Sequence, residues 1–406
     1  MKSSSWIRDR RLQLDALMRR DDWTGHDPFD LVNAPIFRWI PQRAYHLLLV
    51  VSKGGARLPF GWLRPLLRVP RGLDPKTYAC AYFGYVLDRE SPSARRDADE
   101  MLNRLARLAG RSSEGAWWGY DFAWPTLSDG VNPRRASTIV PGAFAIMALA
   151  WDVVVCDRDR HRELLIDAVR YYARRHWKEG PGGARVGYFA TSGHNTHNAN
   201  LLGCLALTLG GIIGGNDQWL RMAGRGVSTT LAAVLDNGFI PYNDHQSGEW
   251  TDCFHHLYVA ATLAALGELN PYVDASRIND VVAAMDGYYR RTFLRDGGIV
   301  NYYPGDPWPV DPHNYAAAAI YEVMTGGESG TARGAMILDR VDQICWDARG
   351  GYYHHRVTRR LRDRRLFMRW GQVWSFAALS AVLFSDTLRQ GLDRFRELTE
   401  QVETTV

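Results

Sequence analysis

Apolar residues return at helical spacing along most of the chain, in segments near 75–88, 93–109, 136–156, 160–176, 196–214, 217–235, 252–267, 275–293, 312–326, 331–346 and 367–385. An amphipathic stretch over 5–20 precedes them, and Asp27, Pro28 and Pro35 interrupt the pattern behind it. Asp74-Pro75 marks a helix start, with proline in the first turn. Strand-like alternation is brief, as at 352–357. Five times a glycine-led turn runs into aromatic residues and then into a helical stretch: at 115–120, 182–189, 237–242, 297–303 and 350–355. A spacing of roughly 50 to 70 residues suits a helical hairpin with its loops. Short loops between paired helices predict an all-α ring of five or six hairpins, with equivalent loops on one face. The organisation expected is an N-terminal basic and aromatic helical extension over 1–72, a ring domain over 73–390 and a C-terminal tail over 391–406.

Composition supports a large core: 46% of the 406 residues are hydrophobic and 23% charged. The 15 Trp and 19 Tyr cluster at the repeat turns, where they either fill the ring or line a cleft of sugar or isoprenoid size. The net charge of +5 is unevenly placed. No acidic residue falls between Asp30 and Asp74, where Arg38, Arg43, Lys53, Arg57, Arg64, Arg68 and Arg71 alternate with Phe37, Trp39, Phe60 and Trp62. Two readings stay open there: a helix packed on the ring with its cations in water, or peripheral membrane contact through 36–72. No nucleic-acid motif accompanies these residues, so no nucleic-acid partner is expected. Five scattered cysteines (Cys80, Cys156, Cys204, Cys253, Cys345) form no disulfide framework. With no apolar run of secretory length at the N-terminus, a cytoplasmic location is expected, with the inner membrane surface as the place of any lipid contact.

The candidate chemistry sits in the loops. Asp121, between Trp117, Trp118, Tyr120, Phe122 and Trp124, reads as a carboxyl raised by desolvation into a general acid. His194, His197 and Asn200 open a strongly apolar helix and suit sugar hydroxyls. The segment 242–256 carries Asp244, Trp250, Asp252, His255 and His256. A helix starting near Thr251 puts Asp252 on one face with His255 or His256, the geometry of an acid/base pair. Tyr303, Asp311 and His313 stand in a proline-rich loop and at the helix start behind it. Arg369 and Trp370 then offer a carboxylate clamp and a stacking face, although Arg369 serves equally as the internal partner of an aspartate. The chain has no phosphate loop, dinucleotide fingerprint, GxSxG or zinc signature, so neither metal nor cofactor is expected.

Trp118-Gly119-Tyr120-Asp121-Phe122, His197-Asn198-Ala199-Asn200-Leu201-Leu202, Trp250-Thr251-Asp252-Cys253-Phe254-His255 and Arg369-Trp370-Gly371-Gln372 resemble bacterial proteins of extracellular polysaccharide biosynthesis in the six-hairpin glycosidase-like superfamily. The likeness covers about 60–385 and implies an (α/α)6 toroid that handles saccharides. The expected activity is glycoside-hydrolase-like, on a uronate-containing or lipid-linked sugar. Asp121 and Asp252 form the carboxyl pair, with Asp311 as substitute, and His255 and His313 share protons. Tyr120, Trp118, Trp124, Trp250 and Trp370 supply ring faces, and His194, His197, Asn200, Asp244, His256, Tyr303 and Arg369 hold substrate groups. A polysaccharide lyase or C5-epimerase, a terpene-cyclase-like enzyme and a non-catalytic saccharide-binding assembly protein are the alternatives.

Overall fold

The computed structural model describes residues 5–37, 39–41, 44–126, 130–180, 182–245 and 250–403. Helices α1 (Ser5–Arg20), α2 (Tyr45–Arg57) and the short α3 (Leu63–Leu66) come first. Five helical hairpins follow: α4 (Pro75–Val86) with α5 (Pro92–Leu108), α6 (Ile139–Val154) with α7 (Arg162–Arg175), α8 (His197–Gly214) with α9 (Asp217–Leu231), α10 (Cys253–Leu269) with α11 (Ala275–Thr292), and α12 (Pro312–Thr325) with α13 (Gly327–Cys345). Helix α14 (Val373–Leu383) and the amphipathic α15 (Ser385–Glu403) complete the chain. Short antiparallel hairpins punctuate the loops. After α5, α7, α11 and α13 come the strand pairs Gly110–Ser112 with Gly115–Trp117, Trp177–Lys178 with Arg185–Val186, Leu294–Arg295 with Ile299–Val300, and Trp346–Asp347 with Tyr352–Tyr353. Four of the five glycine-led turns therefore fold as hairpins. The fifth closes on Gly238, whose φ of 86° admits no ordinary side chain beside the Ala284 carbonyl.

The even-numbered helices α4 to α14 are buried on nearly every side and pack one on the next, and α14 returns to α4. Helices apolar all round are stable only when other elements enclose them. The odd-numbered α5 to α13 are amphipathic and sheathe this inner ring. Helix α8 is long and apolar enough to cross a membrane by composition, yet here it is an inner-ring helix, buried along its length. At the seam a Cβ on Gly84 would meet Phe376 of α14 at 2.3 Å, so glycine sets how closely the first and last inner helices approach.

The sixth outer position belongs to α1, although it precedes the ring by more than fifty residues. Arg10 Nε donates to Asp342 of α13 at 2.6 Å. Arg11 Nε donates to Ser380 of α14 at 2.8 Å, and its guanidinium reaches the Gly84 carbonyl of α4 at 3.0 Å. Residues 5–20 thus lie in the toroid and not in an extension before it. At the other end, 391–403 is no free tail: Leu388, Leu392 and Phe395 of α15 cover an apolar cavity of about 250 Å³ on the ring axis. The architecture is an (α/α)6 toroid, as the helical periodicity and the family resemblance predict.

The role of α1 in closing the ring is measurable. Leu14 is fully buried and Leu12 is 60% exposed on the same helix. Leu14→Ala should cost about 3 kcal/mol in urea unfolding, and Leu12→Ala should stay within about 0.5 kcal/mol of wild type. Equal, small losses at both positions would mean that α1 does not belong to the cooperative core.

Candidate functional site

The starts of the inner helices share one pattern: Asp74-Pro75-Lys76, Thr138-Ile139-Val140, Thr196-His197-Asn198, Asp252-Cys253-Phe254 and Asp311-Pro312-His313. Asp74, Asp252 and Asp311 each cap their helix, accepting from the backbone N–H of Lys76, His255 and His313 at 2.9 Å. Because all five helices start at the same end of the ring, their second residues meet on the axis. Lys76, Val140, Asn198, Phe254 and His313 all line one cavity of about 160 Å³. Arg369 and Trp370, in the π-helical turn Met368–Gln372 that leads into α14, take the sixth place. Aromatic residues of the preceding loops, Tyr120, Phe122, Trp124, Tyr188 and Tyr242, form the walls. A larger cavity of about 340 Å³ shares Phe122 and Arg369 and is bounded beyond them by Asp27, Asp30, Asp74, Asp121 and Arg134.

Two histidines dominate the smaller cavity. His255 Nδ1 lies 2.9 Å from both oxygens of Asp252, so the carboxylate orients the ring with a proton on Nδ1 and turns Nε2 away from it. Burial pushes the His313 imidazole well below its usual range, helped by the charges of Lys76 and Arg369. The ring is therefore neutral, and its Nε2 shares a hydrogen bond of 2.8 Å with the Tyr258 hydroxyl. Burial raises that phenol well above its usual value and keeps it protonated. Lys76 Nζ donates in turn to Tyr258 Oη at 3.3 Å and rests over the rings of Phe144, Trp374 and Tyr258 at 4.7, 4.8 and 5.3 Å. Burial lowers this ammonium to about 8. The rings of His255 and His313 flank Phe254, with centroids at 4.0 and 4.6 Å.

Arg369 holds the wall between the cavities. Its guanidinium pairs with Asp27, Nε to Oδ2 at 2.8 Å, and with Asp74 at 3.3 Å, and it lies over the Tyr120 ring at 4.8 Å. Trp370 Nε1 donates to the same Asp27 oxygen at 3.0 Å. Desolvation lifts Asp74 to about 6, against the pull of Arg369. Arg369 is therefore an internal partner of aspartates and already neutralised, the second of the two roles its sequence allows.

The remaining candidates divide by location. Tyr120, Trp124, His255, His313, Arg369 and Trp370 all border the smaller cavity. Asp252 stands directly behind His255. Asp121 borders the larger cavity, and its predicted raised pKa is reversed: desolvation pushes it up, but Arg134, the Leu73 N–H and Arg135 together hold it below its usual value. Asp311 is buried and receives Arg356 Nε at 2.6 Å, with Tyr302 on the same guanidinium. Trp118 is wholly buried, its indole N–H donating to the Leu105 carbonyl, and so offers no ring face to the cavity. His256 points into the wall between α10 and α11, Nε2 at 3.0 Å from the Met285 carbonyl, and burial lowers it to about 4. Asn200 ties Val186, Gly226 and Thr230 together, while its neighbour Asn198 reaches the cavity. His197 is buried beside Asn195, and Asp244 caps the Asn195 N–H from an exposed loop. His194 is half-buried near His245. Trp250 stacks on Tyr242 at 4.7 Å and is 42% exposed, and Tyr303 is 44% exposed beside Tyr302. Lys76, Tyr258, Asn198 and Asp27 are the functional candidates that the sequence alone does not single out. Among the described residues no group of three or more His, Cys, Asp or Glu side chains gathers as a metal site would require.

No protein-family model and no curated protein matches the chain. Solved structures share its fold. The cellobiose 2-epimerase from Bacillus thermoamylovorans is 12% identical, with a TM-score of 0.61 over 93% of this chain and 99% of that one. A D-mannose isomerase is 14% identical, with a TM-score of 0.55 over 77% and 88%. A possible member of the GH105 family from Salmonella enterica is 9% identical, with a TM-score of 0.55 over 78% and 83%. At these identities the likeness establishes the (α/α)6 fold.

The buried ammonium makes a prediction about pH. Lys76 titrates near 8 when folded and near 10.4 when unfolded, so between these values the unfolded chain holds a proton that the folded chain has released. Stability of the wild type relative to Lys76→Met should therefore rise with pH across that window, by at most about 1.4 kcal/mol per pH unit, and show no such slope below it. Urea midpoints at several pH values check this, and parallel curves for the two proteins would refute the buried, depressed lysine.

Proposed function

We propose that the protein is a carbohydrate-active enzyme that interconverts sugar isomers or epimers by moving a proton at the carbon beside an open-chain carbonyl. The observation that carries this reading is the Asp252–His255 pair, with no partner for Nε2 of the histidine among the described residues, in an aromatic cavity that no carboxylate lines among them. His255 takes the proton from that carbon, and the electron pair moves onto the carbonyl oxygen to give an enediolate. A proton then returns to the same carbon from the opposite face, or, once the hydroxyl proton has passed from one oxygen to the other, to its neighbour; His255 then releases its proton to solvent. Tyr258, hydrogen-bonded between Lys76 and His313, stands across Phe254 and supplies that proton, while the ammonium of Lys76 favours the developing oxyanion. Tyr120, Trp124, Tyr242 and Trp370 pack on the sugar faces.

Hydrolysis has less support. It needs a carboxylic acid and a second carboxylate across the scissile bond. Asp121 is held by two arginines, Asp311 by Arg356, and Asp252 by His255 and its helix. For a uronate lyase or C5-epimerase, Arg369 is committed to Asp27 and Asp74, which leaves Lys76 as the cation of the cavity for a substrate carboxylate. Sugar epimerases and an isomerase among the structures of this fold, and the resemblance to polysaccharide-biosynthesis proteins, support a sugar substrate.

Incubation of wild type with a panel of aldoses and ketoses in D2O tests the chemistry by NMR. Deuterium should enter at the carbon next to the carbonyl. His255→Asn should slow exchange by about 10² to 10⁴, the usual contribution of a positioned acid or base, and Asp252→Asn should slow it by releasing the tautomer. Products that gain water without exchange, or exchange undiminished in His255→Asn, would overturn the reading.

A further inference from the structure

Of the eight large apolar side chains that are more than half exposed among the described residues, six fall between positions 36 and 66: Ile36, Trp39, Leu47, Val50, Trp62 and Leu66. Trp39 is 90% exposed. Helix α2 is apolar on two faces. Leu48 and Leu49 are buried and Val51 packs on the small core of Leu31, Ala34 and Val69, while Leu47 and Val50 face outward, three residues apart and followed on that side by Lys53 and Arg57. A helix with apolar residues on both faces has a second partner to find.

The cations of the segment divide in the same way. Arg64 turns inward to Asp30 at 2.7 Å and fixes the segment, and Arg365 of the ring binds the Gly55 and Ala56 carbonyls, both at 2.7 Å. Lys53, Arg57 and Arg68 are exposed and pair with no carboxylate among the described residues, in a stretch with no acidic residue between Asp30 and Asp74. The outcome is a segment anchored to the ring by Arg64 and Arg365 that exposes tryptophans, aliphatics and cations without a carboxylate partner among the described residues. A second copy of this chain is a poor occupant, since a two-fold contact would set these cations against their own copies. An anionic lipid surface satisfies both features, taking the apolar side chains at the acyl boundary and the cations at the headgroups.

We propose that the 36–66 face is a membrane-docking surface that seats on a bilayer containing anionic lipid. Phe37, Ile40 and Leu48 of the same segment also line the larger cavity, so the docked protein holds that cavity next to the lipid surface. This inference is independent of the reaction proposed above.

Flotation of the full chain with phosphatidylcholine vesicles and with phosphatidylglycerol–phosphatidylcholine vesicles tests it. The protein should float with the anionic vesicles, remain behind with the neutral ones, and detach as salt is raised. Lys53→Ala with Arg57→Ala should weaken binding by about 25-fold, at about fivefold for each cation near an anionic surface. Trp39→Ser with Trp62→Ser should weaken it further. All four side chains are exposed, so an unchanged melting temperature confirms that each variant is folded. No flotation of wild type, equal flotation with both vesicles, or flotation indifferent to both variant pairs overturns the proposal. Self-association that the tryptophan pair abolishes, without vesicle binding, overturns it in favour of a contact between copies.

Discussion

The guanidinium of Arg369 is the interaction on which the cleft depends. It sits between Asp27, from the segment before the ring, and Asp74, the cap of the first inner helix, while its own turn leads into the last inner helix. One buried cation thus joins three parts of the chain that are up to 342 residues apart. Buried charges are tolerated only when paired, and removing one partner leaves the others uncompensated, at about 3 to 5 kcal/mol. The N-terminal segment must therefore dock for Asp27 to reach Arg369, and Tyr120 and Trp370 pack against the same guanidinium. The same group explains why one cleft contains two cavities, because its side chain and Phe122 stand between them.

A closed ring has a second consequence. The inner helices are apolar on every side, so the residues free to differ chemically are those at their ends. With all the inner helices starting on one face, five second-residue positions converge, and the ring needs no long functional loop to assemble a site. The positive ends of those helices are met by Asp74, Asp252 and Asp311, and each of these caps has further partners. Carboxylates that cap, pair and orient in this way are poorly placed to exchange protons themselves. In the proposed reaction that task passes to His255 and Tyr258, which border the cavity.

How much of this is legible in the sequence depends on range. Helical periodicity is local, and the segments it marks correspond to α4 through α14. The placement of α1 is not local: its ties to Ser380 and Asp342 span 369 and 332 residues, and nothing in 5–20 distinguishes an outer-ring helix from a free amphipathic one. Asp252 with His255 is readable because both lie within one helical turn, and Arg369 with Trp370 because they flank a glycine before an apolar run. Trp118, His256 and Asn200 are turned to internal hydrogen bonds, a use of the same residue types that local sequence does not distinguish from a cleft position. Tyr258 escapes notice inside an apolar helix, and Lys76 looks like any solvated lysine after a cap. Aligning the five helix starts is the step that would have found Lys76 and Asn198, since His313 holds the same position in its own helix.

The lysine also marks where the axis changes character. On one side of it lie the polar cavity and the histidines, and on the other the apolar cavity under α15, lined by Phe83, Met147, Leu205 and Trp374. Phe144 and Trp374 border the apolar space and still present ring faces to the ammonium. Desolvation there disfavours the charge, while the ring faces and the Tyr258 hydroxyl favour it, and the ammonium titrates at about 8. A group so balanced gives up or regains a proton with little change in free energy, and its hydroxyl neighbour connects it to His313. The boundary between the apolar floor and the polar cleft is thus what lowers the Lys76 ammonium and sets it beside the hydrogen-bonded Tyr258 and His313.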